Sequence, residues 1–131
     1  MKLAIITDIH HGKRHHTKRG DTAMDQMARV AEDVNAVVPD LVLDLGDRIT
    51  DADHATDLAL MKDVADAFGA IDGPTHHICG NHDLYHLTVE ENAEIMGQAL
   101  SNEVIDAGTW QILEWRADAR ITWSDDQRGF D

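Results

Sequence analysis

The sequence predicts an α/β fold built on a mostly parallel sheet with crossover helices. Three apolar runs have the composition of buried strands: Leu3 to Thr7, Leu41 to Leu45, and Thr75 to Cys79. The segments between them are long enough for a helix, as crossover connections between parallel strands require. A short polar cluster follows each run, and ligands of such sheets bind beyond the carboxyl ends of the strands.

Helical periodicity supports the two crossover connections. From Asp21 to Val38 the apolar residues recur at helical spacing, and Pro39 ends the pattern. A second helix is predicted from about Asp53 to Phe68. Gly69 is placed to act as its C-terminal cap.

The second half of the chain carries fewer signals. Thr88 and Glu91 form the pattern of a capping box that opens a helix to about Leu100. The run from Trp110 to Arg116 is predicted to be a fourth strand. We expect one domain over residues 1–131, because the chain shows no linker, repeat or low-complexity segment.

The polar clusters carry the chemistry that the sequence predicts. They are Asp8-Ile9-His10, Gly46-Asp47-Arg48 and Gly80-Asn81-His82-Asp83. Because each follows a strand of one parallel sheet, we expect all three at the same edge. Carboxylate, imidazole and amide groups converging there are typical of a divalent-metal site.

The ordered triple D-x-H, G-D and G-N-H-D resembles the N-terminal signature of the calcineurin-like metallophosphoesterases. The resemblance covers the chain from Met1 to about Tyr85. It implies one half of a two-sheet α/β sandwich. The lone histidine and the G-H-x-H motif of the family's C-terminal half are missing, since His86 is the only histidine after Asp83. We therefore expect residues 1–131 to form a truncated metallophosphoesterase domain.

The resemblance implies hydrolysis of phosphate mono- or diesters by a phosphatase or phosphodiesterase with two divalent metal ions, Mn, Fe or Zn. By similarity, Asp8 and His10 bind the first metal and Asp47 bridges to the second. Asn81 gives the second metal its amide oxygen. His82 stays off the metals and either stabilises developing charge or protonates the leaving alkoxide. Asp83 orients the ring of His82.

One basic segment, residues 10–19, interrupts an acidic chain and directly follows the first cluster. It is either a solvated surface loop or a flexible lid whose Lys13 and Arg14 offer positive charge to a phosphate substrate. A separate metal site at His15 and His16 is a further alternative.

The composition of the chain limits the classes of partner that it is expected to bind. The net charge of −14 opposes non-specific nucleic-acid binding, and no apolar run reaches the length of a membrane span. Cys79 is the single cysteine, so no intrachain disulfide forms, and a cytoplasmic location is expected. The partners expected are a small phosphate-ester substrate and either a second copy of the chain or the missing C-terminal half. The residues predicted to remain uncovered are Trp110, Ile112, Leu113 and Trp115.

Alternative functions remain open at this point. A phosphoacceptor receiver domain is disfavoured, because it needs a lysine late in the chain and none follows Lys62. Purple acid phosphatases are disfavoured too, because His10 and Thr50 stand where that subgroup has a glycine and a tyrosine. A non-catalytic metal-binding or interaction module, derived from half a phosphoesterase, is the main alternative to an enzyme.

Overall fold

The computed structural model describes the backbone of residues 1–116, 121–124 and 127–130, and the side chains of residues 1–116. Its strands and helices are, in chain order, β1 (Leu3–Ile6), α1 (Ala23–Val37), β2 (Leu41–Asp44), α2 (His54–Phe68), β3 (Thr75–His77), α3 (Val89–Met96), β4 (Glu103–Ala107), β5 (Trp110–Glu114), β6 (Ile121–Ser124) and β7 (Gln127–Phe130).

The first three strands form the parallel sheet that the sequence predicts. Their order is β1-β2-β3, with Leu3 opposite Leu41 and Val42 opposite Thr75. Helices α1 and α2 are the crossover connections. The central strand β2 is buried along its whole length, as expected for a parallel sheet covered by helices. The α/β prediction is therefore confirmed.

The core lies between this sheet and its helices. Met27 of α1 and Met61 of α2 are buried together with Val42 of β2 and Phe68 at the end of α2. Met27, Met61 and Phe68 are among the apolar residues at helical spacing, so the periodicity predicted the buried helix faces correctly at these positions.

The helix ends follow local signals. The Asp53 side chain caps α2 by accepting a hydrogen bond from the Thr56 amide at 3.0 Å. Thr88 and Glu91 form the predicted capping box of α3. The third helix ends at Met96 and does not reach Leu100, because Gly97 adopts a left-handed conformation with φ of 67°.

The C-terminal part differs from the prediction. The expected strand around Trp110 is β5, the second strand of an antiparallel hairpin with β4, which was not predicted. Strands β6 and β7 form a second antiparallel hairpin. Within the described residues, no helix has the length and apolar character needed to cross a bilayer.

Candidate metal centre

The loops after β1 and β2 lie side by side beyond the ends of their strands. The amide of Asp8 donates to the Gly46 carbonyl at 3.1 Å, and the amide of His10 donates to the Asp47 carbonyl at 3.0 Å. The Thr50 hydroxyl donates to the His10 carbonyl at 2.9 Å. These bonds continue the parallel register past the strands and bring the first polar cluster against the second.

Two glycines allow the loops after β2 and β3 to meet. A Cβ atom at Gly46, which has φ of +84°, would overlap the backbone nitrogen of Gly80. A Cβ atom at Gly80 would in turn overlap the carboxylate of Asp47. The amide of His82 donates to Asp47 Oδ1 at 3.1 Å. The glycine that opens each motif is therefore required by close backbone contact.

The backbone of the site is strained at three predicted metal ligands. Asp8, His10 and Asp47 have φ values of 58°, 48° and 56°. This left-handed region is uncommon for residues other than glycine, and it costs of order 1–3 kcal/mol per residue at strained positions. Such conformations cluster at functional sites, where the surrounding structure holds side chains in a required direction.

Side-chain donor atoms converge where the three loops meet. One ligand atom each from His10, Asp47 and His82 lie within 4.8 Å of one another. His10 Nε2 is 3.5 Å from Asp8 Oδ1 and 4.0 Å from Asp47 Oδ2. Asn81 is half-buried in the same loop as His82. Imidazole, carboxylate and amide donors suit Mn, Fe and Zn, so the residues present fit a divalent metal.

His10 is held in the form that binds metal. Its side chain is buried, and burial, followed by electrostatic interaction with Lys18 and His82, lowers the pKa of the imidazole. The neutral ring is the form that offers a lone pair to a metal ion.

Asp83 is positioned differently from the prediction. Its carboxylate accepts hydrogen bonds from the backbone amides of Asp47 at 3.1 Å, Arg48 at 2.8 Å and Gly80 at 2.9 Å. Because these amides belong to the loop after β2 and to the loop after β3, the Asp83 carboxylate connects the two loops. The prediction that Asp83 orients the His82 ring is wrong, since the ring nitrogen Nδ1 of His82 bonds to Asp51.

Asp51 and Lys18 are two site residues that the sequence analysis did not single out. His82 Nδ1 donates to the Asp51 carboxylate, which leaves Nε2 as the acceptor for Lys18 Nζ at 3.0 Å. Lys18 Nζ also lies 3.4 Å from His10 Nδ1. Lys18 belongs to the basic segment, but nothing in that segment's pattern distinguishes it from its neighbours.

The buried side chain of Arg48 connects β2 to the residues that follow β3. Its side chain is fully buried, with Nε 2.5 Å from Asp44 Oδ2 and an Nη atom 3.1 Å from Asp83 Oδ2. It also donates to the Ile78 carbonyl at 2.7 Å. The two carboxylates raise the pKa of the guanidinium against the opposing effect of burial. The buried guanidinium therefore has two carboxylate partners, and no charge in this group is left isolated.

A cleft of about 670 Å³ opens beside the cluster. It is lined by positively charged residues and by part of the site, among them Lys13, Arg14, Lys18, Asp51 and His82. Lys13 and Arg14 are exposed, whereas Lys18 is half-buried and contacts the cluster. The cleft places positive charge beside the candidate ligands in a strongly acidic chain.

Comparison with known proteins gives one family. The calcineurin-like phosphoesterase family model matches residues 1–118, so this chain belongs to that family. A dimetal phosphatase from Danio rerio has a similar structure, with a TM-score of 0.58 and 16% sequence identity over 71% of this chain. The matched region spans 33% of that phosphatase chain. No curated protein matches the sequence.

Proposed function

We propose that the chain takes part in the metal-dependent hydrolysis of phosphate mono- or diesters. The observation that supports this best is that one donor atom each of His10, Asp47 and His82 lies within 4.8 Å of the others, at a sheet edge with strained backbone. This brings two of the proposed ligands, His10 and Asp47, next to the histidine proposed to act on the leaving oxygen. Membership of the calcineurin-like phosphoesterases agrees with this chemistry.

We assign metal binding to Asp8, His10, Asp47 and Asn81, with Asp47 bridging two ions. When bound, two divalent ions neutralise the anionic oxygens of the ester and generate a nucleophile at neutral pH. Mn, Fe and Zn all suit the mixed oxygen and nitrogen donors.

His82 acts on the leaving oxygen in this proposal. Asp51 fixes the orientation of the ring, so Nε2 is the nitrogen that can face the leaving oxygen. To protonate that oxygen, Nε2 must carry a proton and give up its contact with Lys18 Nζ. Asp83 contributes by holding the backbone of the Asp47 loop rather than by touching the reacting atoms.

Positive charge for the substrate comes from the basic segment. Lys18 Nζ lies 3.0 Å from His82 Nε2, and we propose that it contacts a phosphate oxygen. Lys13 and Arg14 are exposed and line the same cleft, where we propose that they attract the substrate.

Asp47→Asn tests the assignment. We expect weaker calorimetric binding of Mn²⁺ and loss of metal-dependent hydrolysis of a chromogenic phosphodiester, because an amide lacks the charge needed to bridge two cations. Asp33→Asn, the same change at an exposed site on α1, is the matched control. Equal metal binding by both variants would rule out the assignment.

A non-catalytic metal-binding module is the second candidate. It needs only a group of metal-binding side chains such as His10, Asp47 and His82, whose donor atoms lie within 4.8 Å of one another. Metal binding that depends on Asp47, without hydrolysis of mono- or diester probes, would support this candidate.

A further inference from the structure

A second group of potential metal ligands lies where the β4–β5 hairpin meets β3. One ligand atom each from His76, Glu103 and Glu114 lie within 4.8 Å of one another. His76 belongs to β3, and the two glutamates belong to β4 and β5. The group shares no residue with the cluster around Asp47.

The two glutamates are placed where the hairpin otherwise buries apolar side chains. Alternation along the strands puts them on the inner face together with Ile105 and Ile112. Glu103 and Glu114 are also directly opposite each other in the strand register. Like charges in opposed positions destabilise a strand pair, so a compensating positive charge is needed between them.

Glu114 is the most buried of the three residues. Its side chain is only 6% exposed, and the His76 ring nitrogen Nδ1 lies 3.7 Å from its Oε2, beyond hydrogen-bond distance. A buried carboxylate is expensive to keep ionised unless a cation is bound beside it.

His76 completes the donor set. Its Nδ1 lies 2.8 Å from Glu103 Oε1, and the amide nitrogen of Gln98 approaches the same ring nitrogen at 3.4 Å. Glu103 is partly exposed, which leaves a path from solvent to the buried Glu114.

We propose that His76, Glu103 and Glu114 form a second divalent-cation site that binds Zn²⁺. One imidazole and two carboxylates are established zinc ligands, and three protein ligands leave a position for water. The site is independent of the proposed hydrolysis.

The site has a structural consequence for the hairpin. Strands β4 and β5 form a sheet of their own and share no backbone ladder with β3 in the described residues. A cation bound by one side chain from each of the three strands would therefore fasten the hairpin to the parallel sheet.

The test uses the chain with Asp47→Asn, which weakens the cluster at the sheet edge. In this background we expect Glu103→Gln to weaken Zn²⁺ binding at least tenfold in a dye-competition titration. Loss of a residue that merely supports a ligand already costs about 10–100-fold in metal affinity. Glu103 is partly exposed, so the variant is expected to fold, which far-UV circular dichroism checks.

Glu32→Gln, the same change at an exposed position on α1, is the matched control and is expected to leave Zn²⁺ affinity unchanged. A second readout is amide hydrogen exchange over residues 103–114, which we expect Zn²⁺ to slow in the background chain but not in Glu103→Gln. Equal Zn²⁺ affinity in the two variants, or exchange that Zn²⁺ does not change, would overturn the site and leave only a His76–Glu103 ion pair.

Discussion

At the scale of single residues, the partner of His82 is the main correction to the sequence analysis. The Asp51 carboxylate contacts Nδ1 of the His82 ring. The Asp83 carboxylate instead accepts hydrogen bonds from three backbone amides and pairs with Arg48. A carboxylate hydrogen-bonded to a histidine fixes its tautomer and orientation. Asp51 is therefore a positioning residue in the proposed reaction.

Asp51→Asn is expected to lower turnover by about 10- to 100-fold while metal content stays unchanged. His82→Ala is expected to lower it further, since general acid–base groups contribute roughly 10²–10⁴-fold. Kinetics on a chromogenic phosphodiester and metal analysis of the same samples provide the measurement. Asp53→Asn is the control, because asparagine caps α2 as well as aspartate does. Metal loss in His82→Ala would instead make His82 a ligand.

Cys79 gives a prediction about pH. Its thiol is buried, and burial raises its pKa to about 11. In the unfolded chain the thiol ionises at about pH 8.5. Above that pH the folded state therefore retains a proton that the unfolded state has lost. The contribution of this thiol to the free energy of unfolding is fully present below about pH 8.5. It is lost as the pH rises toward the pKa of Cys79 in the folded state.

Urea unfolding of the wild type and Cys79→Ala between pH 7.5 and 9.5 measures this effect. We expect the wild type to lose on the order of 1 kcal/mol more than the variant over this range. Parallel pH profiles for the two proteins would show that the thiol titrates normally in the folded state.

At the scale of elements, α3 supports the loop that carries the third polar cluster. The side chain of Asn92, which is fully buried, donates to the Asp83 carbonyl at 2.9 Å. The first turn of α3 is held by the capping box of Thr88 and Glu91. The order of this short helix therefore affects the position of the loop beside it.

Thr88→Ala removes the side-chain acceptor for the Glu91 amide and is expected to lower the free energy of unfolding by about 1 kcal/mol. Thr88→Ser keeps the hydroxyl and is expected to stay close to the wild type. Chemical denaturation of the three proteins decides between these outcomes. An unchanged midpoint for Thr88→Ala would mean that the cap contributes nothing measurable.

At the scale of the whole molecule, the outer face of the β4–β5 hairpin exposes the apolar side chains of Val104 and Leu113 beside the polar ones of Asp106 and Gln111. Val104 and Leu113 lie opposite each other in the register and are 59% and 70% exposed. Trp110 and Trp115 are exposed as well, whereas Ile112 faces inward and is half-buried. Exposed apolar patches of this kind mark surfaces that associate.

We predict that the chain self-associates through this face and that Leu113→Lys shifts it toward the monomer. The added charge must be desolvated if the face is buried, which opposes association. Gln26→Lys adds the same charge at an exposed position on α1 and is the matched control. Light scattering across a concentration series measures the effect, and a wild type that is monomeric throughout would contradict it.

Local patterns predicted most of the N-terminal fold. Apolar runs located β1, β2 and β3 within two residues, and helical spacing with capping residues located α1, α2 and the start of α3. Strand β4 was missed because its alternation places two acidic residues among its five. The two-residue turn at Gly108 and Thr109, where Gly108 has φ of 76°, was the available signal for the hairpin.

The sequence by itself determined the parallel order of the motifs, the family and the ligand candidates, because these depend on periodicity and on residues close together in the chain. Only the tertiary structure decided which carboxylate meets His82, how Arg48 is paired and that Lys18 reaches the cluster. Asp51 and His82 are 31 residues apart, Arg48 and Asp83 are 35 apart, and Lys18 and His82 are 64 apart. Partners at such separations are chosen by how loops pack in space, which no local pattern records.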